Sequence, residues 1–194
     1  MAMVAIAAVL LTACGTSGRA LRDPAPGATA PARKATATTK PAVVTPIGLS
    51  ITSPAWPPGD PMPATFSCDG AGDSPPLDIG GAGGDVAELV VVVTDPDAAG
   101  RVHWVVAGLS PDGVSFPEGL VPPDAVVGQN ADGQAQWAPA CPPPGATHTY
   151  QFTVYALPTP SGIEESTPAA EAEADVAAAS TSAAVLTGAY TGKR

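Results

Sequence analysis

The chain has 194 residues, with 24 prolines, 21 glycines and only 13% charged residues, a composition that disfavours a helical bundle and suits short strands joined by many turns. Five of its eight basic residues (Arg19, Arg22, Arg33, Lys34, Lys40) precede residue 47; from Ile47 onward three basic residues face 17 acidic ones, a net charge of −14. That sign repels nucleic-acid backbones and anionic lipid surfaces, so no nucleic-acid partner is expected, and the roughly 148 residues left after the first 46 are enough for one domain with a single core.

Taken in chain order, Ala2 to Leu11 form an apolar run too short to span a bilayer but of the length of a signal-peptide core. It ends in Leu11-Thr12-Ala13-Cys14, a lipobox-like sequence, so residues 1–14 are expected to be a lipoprotein signal with Cys14 as the lipidated residue. Acyl chains at about 0.8 kcal/mol per buried CH₂ would anchor the chain in the bacterial cell membrane, on its extracytoplasmic face. Residues 15–46 repeat Ala, Thr and Pro without a periodicity that could bury a face, and read as a disordered or polyproline-like tether whose basic residues could rest on an anionic membrane.

Residues 47–194 read as the folded domain. Short strands are expected at Leu49 to Thr52 and Ala64 to Ser67, and the β-branched run Glu88 to Thr94 is the expected central strand, buried on both faces. His103 to Leu109 and Tyr150 to Leu157 are the next strands. Long irregular loops are expected at 69–84 and 112–145. Thr167-Pro168 reads as the N-cap and first residue of a helix running to about Leu186 and closed by Gly188.

Three clusters at the edges of apolar runs hold the residues able to carry chemistry: Cys68-Asp69-Gly70 with Ser74-Pro75-Pro76-Leu77; Asp95-Pro96-Asp97 with His103-Trp104; and Cys141-Pro142-Pro143-Pro144-Gly145 with His148-Thr149-Tyr150. Pro96 forces Asp95 into an extended conformation, and the paired carboxylates either cap a turn or, with a nearby imidazole, position an anion or polar headgroup. Each histidine precedes or opens an expected strand and is either a satisfied, half-buried imidazole or part of that site. Their spacing lacks a tight ligand pair, so no metal is expected.

Together, in order and spacing, these clusters resemble the phosphatidylethanolamine-binding protein family in its bacterial, Raf kinase inhibitor-like branch. The resemblance runs from Ile51-Thr52-Ser53-Pro54-Ala55-Trp56 through CDG, SPPL, DPD, HW, Gly128-Gln129-Asn130 with Gly133, PPPG, HxY and Tyr155-Ala156-Leu157 to Gly188-Ala189-Tyr190. It implies a mainly β fold, a Greek-key β-sandwich with a C-terminal helix, and a pocket at one end of the sheet for a small anion. By position, Asp95, Asp97, His103, Pro142, His148 and Tyr150 would line the pocket, with Asp69, Gly70 and Pro76 in its wall, and a cis peptide would be sought at Ser74-Pro75-Pro76. Two positions depart from the family pattern: Pro139-Ala140 stands for Gly-Pro, and Thr149 for an arginine. The loss of that guanidinium leaves the histidines, Arg101 and backbone N–H groups to meet a ligand, and a small anionic or zwitterionic ligand is expected.

With Cys14 set aside, Cys68 and Cys141 form an even pair, which in an exported protein reads as a disulfide, two buried thiols being the alternative. No Gly-x-Ser-x-Gly elbow, phosphate-cradling loop or cofactor motif is present. The leading expectation is therefore a membrane-tethered extracytoplasmic binding protein without turnover or cofactor. A protein-interaction or inhibitor role against a kinase or protease, through the 112–145 loop, and weak Asp/His acid–base hydrolysis stand as alternatives.

Overall fold

A computed structural model describes residues 48–193 of the chain; Cys14, the 1–14 signal and the 15–46 tether lie outside the described residues. Among the described residues are two antiparallel sheets and one α-helix. A three-stranded sheet has the order β1 (Ser50–Thr52), β2 (Leu77–Gly80), β5 (Gly113–Phe116). A five-stranded sheet has the order β6 (Val126–Gly128), β4 (Arg101–Leu109), β3 (Glu88–Asp95), β7 (Thr147–Leu157), β8 (Ser182–Thr191).

Strand β3 is the centre of the large sheet because it is apolar on both faces. Leu89, Val91 and Val93 join Ile51, Leu77, Ile79 and Phe116 of the small sheet in the main core, together with Trp104, Phe152 and Leu186. Val90 and Val92 face the other way, onto Ala169, Ala172 and Val176 of α1 (Ala169–Ala179). The strand thus lies between a sheet and a helix, and the period-two alternation of its side chains feeds both cores. Mainly β architecture with two packed sheets and a helix near the C-terminal end agrees with the sequence reading.

Four local expectations are corrected. The helix begins one residue later than Thr167-Pro168 indicated, with Pro168 in the N-cap place, and it ends at Ala179, so that Ser182–Thr191 leave it for the edge strand β8. In that strand Leu186, Gly188 and Tyr190 alternate inward, and Gly188 is not a helix stop. It makes room for Trp56, whose ring would lie 2.9 Å from a Cβ there and whose Nε1 donates to the Thr187 carbonyl at 3.1 Å. Ala64–Phe66 is a single 3₁₀ turn and not a strand, closed by the Ser67 hydroxyl on the Ala64 carbonyl. The 69–84 and 112–145 loops are interrupted by β2, β5 and β6, which supply the small sheet and an edge of the large one. Finally, no peptide bond among the described residues is cis, Ser74-Pro75-Pro76 included.

Candidate functional site

Side-chain parity brings the site together. Asp95 continues the inward series Leu89, Val91, Val93 past the last apolar position of β3, and His148 and Tyr150 continue Phe152 and Val154 toward the same end of β7. His103 on β4 arrives by a different device. The pairing of β3 with β4 runs Val93 to Trp104 and then Thr94 to Val102, so His103 is the extra residue of a β-bulge. A bulge re-aims its residue, and His103 turns inward with Trp104, its ring edge-on to Tyr150 at 5.1 Å and near Trp137 at 6.1 Å.

Asp95, only 2% exposed, is the hub. Its extended backbone ahead of Pro96 lets one carboxylate oxygen accept the Ala98 N–H at 3.2 Å, which caps the 3₁₀ turn Pro96–Ala98. The other oxygen lies 2.7 Å from His148 Nδ1, which donates to it, and 4.0 Å from His103 Nε2. The turn closes through Ala99 at φ 55° and Gly100 at φ 75°, two consecutive left-handed residues.

The two imidazoles differ. The His103 Nδ1 sits 2.8 Å from the Ala138 carbonyl, a pure acceptor, so Nδ1 carries the proton and donates. Burial, more than any charge around it, holds the His103 pKa below the ordinary 6.5, partly opposed by the Ala138 bond and the Asp95 charge. Its Nε2 therefore presents a lone pair, and that atom has no hydrogen-bond partner among the described residues. The Tyr150 hydroxyl is also buried, and it lies beside the Asp95 carboxylate and the Cys141 backbone. Burial first, and the Asp95 charge second, push its ionisation far above the usual phenol range, so it stays an O–H donor.

These groups open onto a cavity of about 580 Å³. Its far wall is the 129–143 segment. Buried Asn130 orders the start of that wall, its amide donating to the Gln136 carbonyl and its oxygen accepting the Asp132 and Gln134 N–H groups. Arg101 and Asp132 pair across the rim. The Cys68–Cys141 disulfide, with Cα atoms 5.3 Å apart, ties two lining residues together, in agreement with the pairing expected from the sequence.

Of the expected site residues, Asp95, His103, His148 and Tyr150 line this cavity. The others do not. Asp97 turns away to accept the Thr149 N–H at 2.7 Å, fastening the turn to β7. Pro143 takes the lining place expected for Pro142, whose carbonyl packs against Gly192. Asp69 accepts from the Tyr190 hydroxyl and the Lys193 N–H, both at 2.9 Å. Gly70 lies against the Ala64 carbonyl with no room for a Cβ, and the Pro76 carbonyl accepts from Ser53 Oγ at 2.7 Å. Of the lining residues that the motifs did not single out, Asp132, Gln134, Gln136 and Ala138 come from a segment without periodicity, where the turn-forming Asn130-Ala131-Asp132-Gly133 is a sequence signal.

An antiparallel sandwich backed by one helix, with a carboxylate, two imidazoles and a tyrosine recessed at the end of its main sheet, is the class of protein the fold and site define. Residues 52–191 match the family model described as phosphatidylethanolamine-binding protein, and the chain belongs to that family. It is 38% identical over 147 residues to a Mycobacterium tuberculosis protein that carries the name lipoprotein LppC, a match covering 74% of this chain and 73% of that one. Among solved structures it is similar to a phosphatidylethanolamine-binding protein homolog from Chlamydia trachomatis, with a TM-score of 0.68, 33% identity, and coverage of 75% of this chain and 99% of the other. It is also similar to Escherichia coli YbcL, described as a member of the mammalian family, with a TM-score of 0.69, 28% identity and the same coverage.

Proposed function

We propose that this chain is a lipid-anchored, extracytoplasmic binding protein that holds a small phospho-headgroup or related anion in the cavity beside Asp95. One observation carries the reading: His103 Nε2 is a buried acceptor without a hydrogen-bond partner, grouped with the Asp95 carboxylate, His148 and Tyr150 at one cavity. Leaving such an atom unpaired costs about 1–3 kcal/mol, which a ligand's polar atom would recover. Membership of the family supports the ligand class, and the lipoprotein name of the M. tuberculosis relative supports the anchor at Cys14.

Calorimetric titration of the full chain with O-phosphoethanolamine tests the pocket. Binding at least about tenfold weaker in His148→Ala is expected, since Asp95 then loses its charge-assisted partner; equal binding by the two proteins would remove the reading. Metabolic labelling with a radioactive fatty acid, retained by the wild-type chain and lost in Cys14→Ala, tests the anchor separately.

A further inference from the structure

We propose that a second groove, on the face of the 117–125 turn, docks a protein segment carrying a large apolar side chain next to a lysine or arginine. The groove shares only Gln136 and Pro139 with the Asp95 cavity, and its occupant is independent of what that cavity holds.

The groove lies where the edges of the two sheets meet. Strand β5 ends the three-stranded sheet and β6 the five-stranded one, and Trp104 of β4 meets Phe116 of β5 edge-on, with ring centroids 5.7 Å apart. At this seam Trp104, Val127 and Trp137 line a space of about 520 Å³, close in size to the Asp95 cavity. The link between the two edge strands, residues 117–125, is a proline-rich turn pinned by three backbone bonds. The Gly119 N–H donates to the Ser74 carbonyl at 2.9 Å, that of Leu120 to Pro117 at 3.2 Å and that of Ala125 to Pro122 at 3.0 Å. The turn holds Leu120 out beside the groove, 60% exposed. A single exposed leucine is ordinary. One fixed on a pinned turn next to an apolar recess makes a preorganised pair, a projecting side chain and a socket, that loses little conformational freedom when a partner covers it.

Charge decides the occupant. Asp73 is the one ionisable side chain lining the groove. Its carboxylate lies along the turn, 3.7 Å from where a Cβ on Gly119 would stand, and it makes no ion pair among the described residues. Glu118 and Asp124, both exposed, add two more acids to the same turn. The basic side chains among the described residues are Arg101, paired to Asp132, and Lys193 beyond the end of β8, and neither lines the groove. With a net charge of −14 from Ile47 onward, a second copy of the chain or an anionic bilayer is repelled from this face, and a cationic segment is drawn to it. The apolar recess asks for a large hydrophobic side chain and the unpaired Asp73 for a cation beside it, which together describe a basic, apolar stretch of another protein.

The test selects a random peptide library, displayed on phage, against the full chain and measures the selected peptides by fluorescence anisotropy. They are expected to be enriched in lysine or arginine beside a large apolar residue. Leu120→Ser and Asp73→Lys should each bind them at least about tenfold more weakly, and raised salt should weaken binding to the wild type. Both substitutions fall on exposed side chains, so the fold is expected to survive them. Val185→Ser, which removes the other large exposed apolar side chain among the described residues, should bind as the wild type does and controls for general stickiness. Peptides that are neutral or acidic, peptides that bind Leu120→Ser as tightly as the wild type, or a library that yields no binder would overturn the proposal. Sedimentation of the chain alone is expected to show a monomer. A dimer broken by Leu120→Ser would assign the groove to a second copy and overturn the cationic partner.

Discussion

Strand β3 carries a buried carboxylate at each end, and the two are used differently. Glu88, 6% exposed, accepts from the Gly108 N–H at 2.6 Å and from both the N–H and the hydroxyl of Ser161. Its partners come from backbone and a serine, none of them titratable at ordinary pH, and they pin the 158–163 loop to the sheet. Asp95 also satisfies one backbone N–H, but its other oxygen is turned to His148 and His103 over a cavity. Burial of an acid alone does not identify a site. The nature of its partners separates the two ends: fixed donors make a structural clamp at Glu88, and titratable side chains beside an open cavity mark the candidate site at Asp95.

The clamp end should show the largest effect. Glu88→Ala strips the acceptor from three part-buried donor groups at once and is expected to cost about 3 kcal/mol in urea denaturation, whereas Asp95→Asn, which keeps an acceptor for Ala98, should cost far less. If the two variants lose equal stability, the distinction between clamp and site is wrong. Next in size is the disulfide. Cys68 and Cys141 are 73 residues apart, and opening that loop with a reductant is expected to lower stability by about 2–4 kcal/mol and to weaken phosphate binding, because both residues line the cavity. A melting curve and a binding isotherm unchanged by the reductant would count against it.

The pH dependence sharpens the contrast further. His103 has a lower pKa folded than unfolded, so its contribution to stability is full above the ordinary value of 6.5 and is lost as pH falls through the folded pKa. Denaturation series below pH 6.5 should show this decline, and His103→Gln should flatten it. The smallest effect concerns the turn that carries Asp95. Ala99 sits at φ 55°, where a side chain costs energy that glycine does not pay, so Ala99→Gly is expected to stabilise the chain by about 0.5–1 kcal/mol in the same assay.

How much of this was legible in the sequence depends on what each segment encodes locally. The runs Glu88 to Thr94, His103 to Leu109 and Tyr150 to Leu157 announce strands because their side chains do not tolerate another environment. Residues 182–191 do not, since the alanines before Leu186 suit a helix and Gly188 reads as its stop, and only pairing with β7 decides for a strand. Asp95, His148 and Tyr150 were placed by the family resemblance, and strand parity accounts for their shared face once the strands are known. Asp97 was misassigned because the turn after Pro96 swings it outward, and the inward turn of His103 depends on a bulge that no residue pattern marks. The 129–143 wall was legible only at its ends, through Asn130 and Cys141; the course of 131–139 between them has no periodicity and comes from the Asn130 bonds.

The measurement that bears most directly on the difference between the two ends is a phosphate titration of ¹⁵N-labelled chain followed by NMR at the histidine ring nitrogens and the backbone amides. Saturating phosphate is expected to move His103 Nε2 and the His148 ring while the Gly108 and Ser161 amides beside Glu88 stay in place. Unmoved imidazoles, or shifts of equal size at both ends of β3, would contradict a ligand site at Asp95.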